Sequence, residues 1–267
     1  MKIAFWSPLH GTGVTSDLLA ASISMACKNR NKIIVTQNHF SMNNLENPLL
    51  GDISNEQFFT DTGLDAVIRH FKSGNLTKEQ IENCSIRIIN NMYLLTGTRS
   101  GCREAYENQL TQSMMVHIIN QLETFCDIVM IDTNSGNNPA SAEIIRAADV
   151  VAVTVRQNRK MLDELMENEL LKDKKLFYIF GNYDVNSRYS LKNIRRLYKR
   201  INKENSVGVI HCTEYMDAIG ENRVLKYVSS NIDEGKGYED SAFFENVREL
   251  SEKLTGYANI GSILPHE

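Results

Sequence analysis

Nine residues near the start of the chain, Pro8-Leu9-His10-Gly11-Thr12-Gly13-Val14-Thr15-Ser16, restrict its architecture more than any other segment. A short apolar run, Ile3-Ala4-Phe5-Trp6, precedes them, and Leu18-Leu19-Ala20-Ala21-Ser22-Ile23, which reads as a helix, follows. Strand, glycine-bearing turn and helix, in that order, form the setting of a phosphate loop. Backbone N–H groups and the helix N-terminus face an anion there, and a Ser or Thr hydroxyl reaches Mg²⁺. Such a loop carries lysine where this one has Val14. His10, Gly11, Thr12, Gly13, Val14, Thr15 and Ser16 are therefore expected to hold a nucleotide, without the mobile cation that follows its terminal phosphates.

The rest of the chain alternates in the same way. β-rich runs are read at residues 2–7, 32–37, 86–95, 127–132, 149–155, 176–180 and 207–210, most of them apolar on both faces. Helical patterns are read at 16–29, 111–124, 139–146, 160–171, 190–202 and 241–254, and Thr77-x-x-Gln80 has the form of a capping box opening another. Parallel strands need crossover helices, so this order predicts an α/β fold with a doubly wound, mostly parallel sheet flanked by helices. No linker, repeat or low-complexity segment divides the 267 residues, and one domain spanning 1–267 is expected, with a loop and a short helix at the sheet edge within 39–74. The net charge of −4 argues against wholesale nucleic-acid binding. Five cysteines, none at C-x-x-C spacing, exclude a zinc ribbon and argue against a disulfide framework. With no apolar run near the about 20 residues that span a bilayer, the reading is a cytoplasmic protein.

In open α/β sheets ligands sit beyond the carboxyl ends of the strands. The residues there are Thr36-Gln37-Asn38-His39, Thr96-Gly97-Thr98-Arg99-Ser100-Gly101-Cys102-Arg103, Asp132-Thr133-Asn134-Ser135-Gly136 and Gly181-Asn182-Tyr183-Asp184. Asp132 ends an apolar strand and suits water-mediated Mg²⁺ coordination beside Thr15, although strand ends also carry Asp as a turn residue. Arg99 and Arg103 are either substitute phosphate contacts or solvated loop arginines.

The order of these segments resembles the ParA/MinD superfamily of P-loop ATPases over nearly the whole chain. The superfamily loop K-G-G-x-G-K-[ST]-[ST] places its last six positions on Gly11 through Ser16. Leu9 then takes the signature lysine's position and Val14 that of the Walker lysine. Thr36-Gln37-Asn38 replaces D-x-D, so Asn38 stands where the superfamily has the carboxylate needed for hydrolysis. Ile131-Asp132-Thr133-Asn134-Ser135-Gly136 is similar to I-D-T-P-P-G, and Asn182 matches the asparagine that reads adenine. The resemblance implies ATP and Mg²⁺ as ligands and a face-to-face homodimer. Gly181-Asn182-Tyr183-Asp184, Ser187-Arg188-Tyr189-Ser190-Leu191 and Val209-Ile210-His211-Cys212 are most similar to the TadZ/CpaE branch. That branch implies a localisation or scaffold role in a pilus or secretion assembly. Removing one preorganised donor from a transition state costs about 10²–10³ in rate, so loss of two lysines and a carboxylate predicts negligible hydrolysis. The rival readings are a slow ATPase using Arg99 or Arg103 and a DNA-partition protein.

Lys192, Arg195, Arg196, Lys199, Arg200 and Lys203 recur at helical spacing, which predicts one basic stripe opposite Leu191, Ile194, Leu197, Tyr198 and Ile201. A solvated face is the ordinary explanation. DNA phosphates, anionic lipid at a membrane surface or an acidic protein would also fit it. The last helix places Phe243, Phe244, Val247, Leu250 and Leu254 on one side and is expected to dock on the core.

Overall fold

The computed structural model describes residues 1–40, 44–51, 61–74, 76–98, 112–232 and 241–261. Eight strands form one sheet: β1 (Lys2–Trp6), β2 (Ile33–Gln37), β3 (Ile86–Ile89), β4 (Met92–Leu94), β5 (Ile128–Asp132), β6 (Val150–Val155), β7 (Leu176–Gly181) and β8 (Ser206–Val209). Their spatial order is β3-β4-β2-β5-β1-β6-β7-β8, and every neighbouring pair is parallel except β3 with β4. The fold is the expected doubly wound α/β arrangement. β1 lies between β5 and β6, so the loop after it opens at the middle of the sheet.

The helices are α1 (Val14–Lys28), α2 (Glu46–Leu50), α3 (Gly63–Lys72), α4 (Lys78–Cys84), α5 (Gln112–Leu122), α6 (Pro139–Ala147), α7 (Arg159–Met166), α8 (Leu191–Leu197), α9 (Thr213–Gly220), α10 (Val224–Asn231) and α11 (Ser241–Tyr257). Side chains alternate across a strand, and here both sides are apolar. Ile3, Phe5, Met130, Ala152 and Ile179 join a core with α1, α10 and α11. Ala4, Trp6, Ile131, Val153 and Phe180 join a second core with α3 to α8. α11 buries Phe243, Phe244, Val247, Leu250 and Leu254, as its pattern predicts.

Side-chain caps start several helices. Thr77 and Gln80 form the predicted capping box of α4, while Asn138 caps α6 and Asn158 caps α7. α1 begins differently, on Gly13 at φ 104° with no side-chain cap.

Five segments depart from the sequence reading. The run 86–95 is a hairpin: the chain reverses at Asn90-Asn91, and Asn91 Nδ2 donates to the carbonyls of Asn29 and Asn31. The run 160–171 ends as a helix at Met166, after which Asn168 caps a short 3₁₀ turn, Glu169–Leu171. Among its described residues, the segment 39–74 holds two helices, α2 and α3, where one short helix is expected. α9 and α10 fill 213–231, for which no helix was read.

The run 190–202 is corrected most. α8 stops at Leu197, and Tyr198 is extended. Asn202 Oδ1 accepts from the amides of Glu204 and Asn205, and Asn205 Nδ2 donates to the carbonyls of Arg200 and Leu176. These local bonds offer the backbone an alternative to further helix.

Gly63 begins α3 at φ +80°, and a Cβ there would stand 2.2 Å from Thr96 Oγ1. The Thr96 carbonyl accepts from the Leu64 amide, so neither partner can retreat freely. Gly63→Ala is expected to cost about 2–4 kcal/mol through strain and overpacking. Urea unfolding would measure it, and a change under about 0.5 kcal/mol, the usual size for an uneventful surface site, would show that the junction yields.

Candidate functional site

Because α1 lacks a side-chain cap, the main-chain N–H groups at its head stay open. Among the described residues, none accepts from the seven amides of residues 10–16, whereas the Leu9 amide donates to Ser7 Oγ and the Asp17 amide to the Gly13 carbonyl. Gly11, at φ 72°, and Gly13 both adopt left-handed conformations that suit glycine. The first amides of a helix carry the positive end of its dipole, so this hollow favours an anion.

Beside the hollow, Asp132 is fully buried at the end of β5. Its Oδ2 accepts from Thr15 Oγ1 at 2.7 Å, so the pair expected to serve Mg²⁺ is in contact. Its Oδ1 has no hydrogen-bond partner; His39 Nε2 stands 3.3 Å away in ion-pair range, in a geometry that makes no hydrogen bond. A buried carboxylate oxygen with an open lone pair, next to a hydroxyl, is a donor set that suits a hard divalent cation. His39 stands in the sequence as one of the residues after β2, and no sequence signal assigns it to Asp132.

The loop residues separate between two cavities. His10 borders one of about 440 Å³ with Phe40, Asn134, Ser135 and Gly136. Gly11, Thr12, Gly13 and Ser16 border another of about 150 Å³ with Asp17, Arg156, Asn182 and His211. Asn182 thus shares a cavity with the loop, and its Oδ1 lies 3.3 Å from His211 Nδ1. Val14 is not exposed to either; it is buried in the core that α1 shares with α11. Asn38 ties strands together: its Oδ1 accepts from the Asn134 amide at 2.7 Å, and its carbonyl accepts from Asn134 Nδ2. Tyr215 of α9 reaches α1, its hydroxyl donating to the Ser16 carbonyl at 2.5 Å.

Arg99 and Arg103 lie outside the described residues. The six cations of 192–203 do not share one helical stripe, because Lys199, Arg200 and Lys203 follow the end of α8. Two of them are also committed internally. Arg195 donates to Ser206 Oγ and the Ser206 carbonyl, and Arg200 to the carbonyls of Leu171 and Lys172. Leu197, on the apolar side opposite the predicted basic stripe, is 62% exposed.

Sequence reasoning also missed Asp17 and Arg156. Asp17, in the first turn of α1, is buried; desolvation raises its pKa from 3.8 to about 7, against lowering by the Thr154 hydroxyl at 2.7 Å and by the Arg156 charge. Between those two values the folded protein binds more protons than the unfolded chain, so this group's stabilising contribution falls as pH rises through the window. The full span corresponds to at most about 4 kcal/mol. Asp17→Asn keeps an acceptor for Thr154, and it should flatten the decline and leave the variant more stable than the parent above about pH 7. Chemical denaturation across pH measures this, and an unchanged slope would mean that Asp17 titrates as an ordinary carboxyl.

No protein-family model matches the sequence, and no curated protein matches it. Solved structures do match. A ParA family ATPase from Chlorobium tepidum TLS superposes with a TM-score of 0.71 at 13% identity, covering 94% of this chain and 98% of that one. The septum site-determining protein MinD from Pyrococcus horikoshii, complexed with Mg-ADP, gives 0.70 at 15% identity, with 97% of each chain covered. A Borrelia burgdorferi plasmid partition protein bound to AMPPNP gives 0.64 at 14%, covering 96% and 98%. No helix among the described residues is long and apolar enough to cross a membrane. At these identities the likeness establishes architecture: the chain has the fold of ParA/MinD-type ATPases.

Proposed function

We propose that this protein is a degenerate ParA/MinD-like factor that binds ATP with Mg²⁺ and hydrolyses it negligibly. The reading rests above all on the seven amides of residues 10–16, from which none of the described residues accepts, beside a buried carboxylate whose Oδ1 makes no hydrogen bond. Thr15 and Asp132 would hold the metal, which supplies charge neutralisation for the phosphates. Asn182 would meet the base. The solved structures of this fold that carry Mg-ADP and AMPPNP lend the ligand class support.

The missing catalysis follows from this chain's own residues. Val14 is packed in the core and Leu9 is an exposed aliphatic side chain, so neither brings positive charge to a γ-phosphate. Asn38 cannot act as a base, and its side chain already joins the β2 end to the loop after β5. Such a protein acts by being bound or unbound. We place it, with the TadZ/CpaE branch, as a dimeric localisation or scaffold factor for a pilus or secretion assembly. A DNA-partition role has less support, since the basic stripe that suggested it is broken after Leu197.

Calorimetry with ATP and Mg²⁺ should show saturable binding, and steady-state phosphate release should equal that of Asp132→Ala. Asp132→Asn should remove the gain in affinity that Mg²⁺ brings, by about tenfold or more. Rapid phosphate release by the parent protein alone would overturn the reading, as would the absence of any nucleotide binding.

A further inference from the structure

We infer that Arg156 is the cation of the nucleotide cradle, taking up from the end of β6 the phosphate contact that the loop itself cannot make. The inference rests on the nucleotide reading above and adds a residue to it. Arg156 immediately follows β6 and is half-buried. Its Nη1 donates to the Gly181 carbonyl at 3.2 Å and its Nη2 to the Gly11 carbonyl at 3.3 Å. The guanidinium therefore bridges the phosphate loop and the loop after β7, on the wall of the cavity it shares with Ser16 and Asn182.

Two points separate this arginine from an ordinary structural one. A guanidinium has five N–H donors, and only two are engaged by these carbonyls. Among the described residues it also makes no salt bridge. The carboxyl whose charge reaches it is Asp17, and burial disfavours ionisation of that group. A permanent cation with donors to spare thus stands between the amide hollow and the residue expected to meet the base. The ligand chemistry that suits this place is a phosphate, and planar guanidinium donors match phosphate oxygens in pairs.

The test compares ADP with adenosine, each titrated into the full chain with Mg²⁺ at low and high salt. Arg156→Gln removes the charge and keeps donors; Arg156→Lys keeps the charge. The Gln variant should lose about ten- to a hundredfold in ADP affinity, hold adenosine as the parent does, and show a weaker salt dependence. The Lys variant should recover most of the ADP affinity. Unchanged ADP binding by the Gln variant would overturn the assignment. Equal loss of ADP and adenosine in both variants would also overturn it, since that marks a rivet between loops. If the parent binds neither ligand, the nucleotide reading itself falls, and this inference falls with it.

Discussion

Main-chain N–H groups with no acceptor are unfavourable to shelter, and among the described residues none accepts from the seven consecutive amides of residues 10–16, at the head of α1. The molecule holds them there because β1 is clamped in the middle of the sheet by β5 and β6 and covered on both faces. A strand so placed cannot shift to let its loop relax. The Trp6 indole donates to the Gly136 carbonyl, and the Gly136 amide donates to the Ser7 carbonyl, so the loop after β5 is tied to the end of β1. The open amides are thereby kept beside Asp132 as a property of the fold rather than of any ligand.

Charge in this region follows a different logic from backbone geometry. Positions that look made for cations carry Leu9 and Val14, one exposed and one packed inward. The carboxyls nearby are either engaged by a hydroxyl, as Asp132 is by Thr15, or pushed toward neutrality by burial, as Asp17 is. Glu46 shows the same pressure: buried beside Gln37 and the Gly97 amide, its pKa rises to about 6. The hollow at the head of α1 is thus mostly dipolar, and dipoles suffice for holding an anion more readily than for stabilising a transition state.

Much of the architecture was legible because two signals agree along the chain. Strands buried on both faces read as continuous apolar runs, and the loop at 8–16 sits between one such run and a helix. What escaped was set by contacts distant in sequence. The reversal at Asn90-Asn91 depends on carbonyls at the end of α1, and the early end of α8 depends on Asn202 and Asn205. Periodicity carries no record of such competition, which is why a basic stripe could be drawn through residues that do not share a helix. Arg156 escaped for a related reason, being 145 positions from the Gly11 carbonyl it touches. A polar residue directly after a central strand was the available clue.

Tyr215 links this chemistry to the other end of the chain. Its hydroxyl holds the first turn of α1, while its ring lies 4.7 Å from that of Phe243 at the start of α11. Phe243 meets Phe244 edge-on, and Phe244 contacts Tyr227 of α10. A rigid phenol thus joins the anion hollow to an aromatic stack spanning three C-terminal helices. The first turn of α1 therefore inherits its stiffness from aromatic rings contributed by residues 199 or more positions further along the chain.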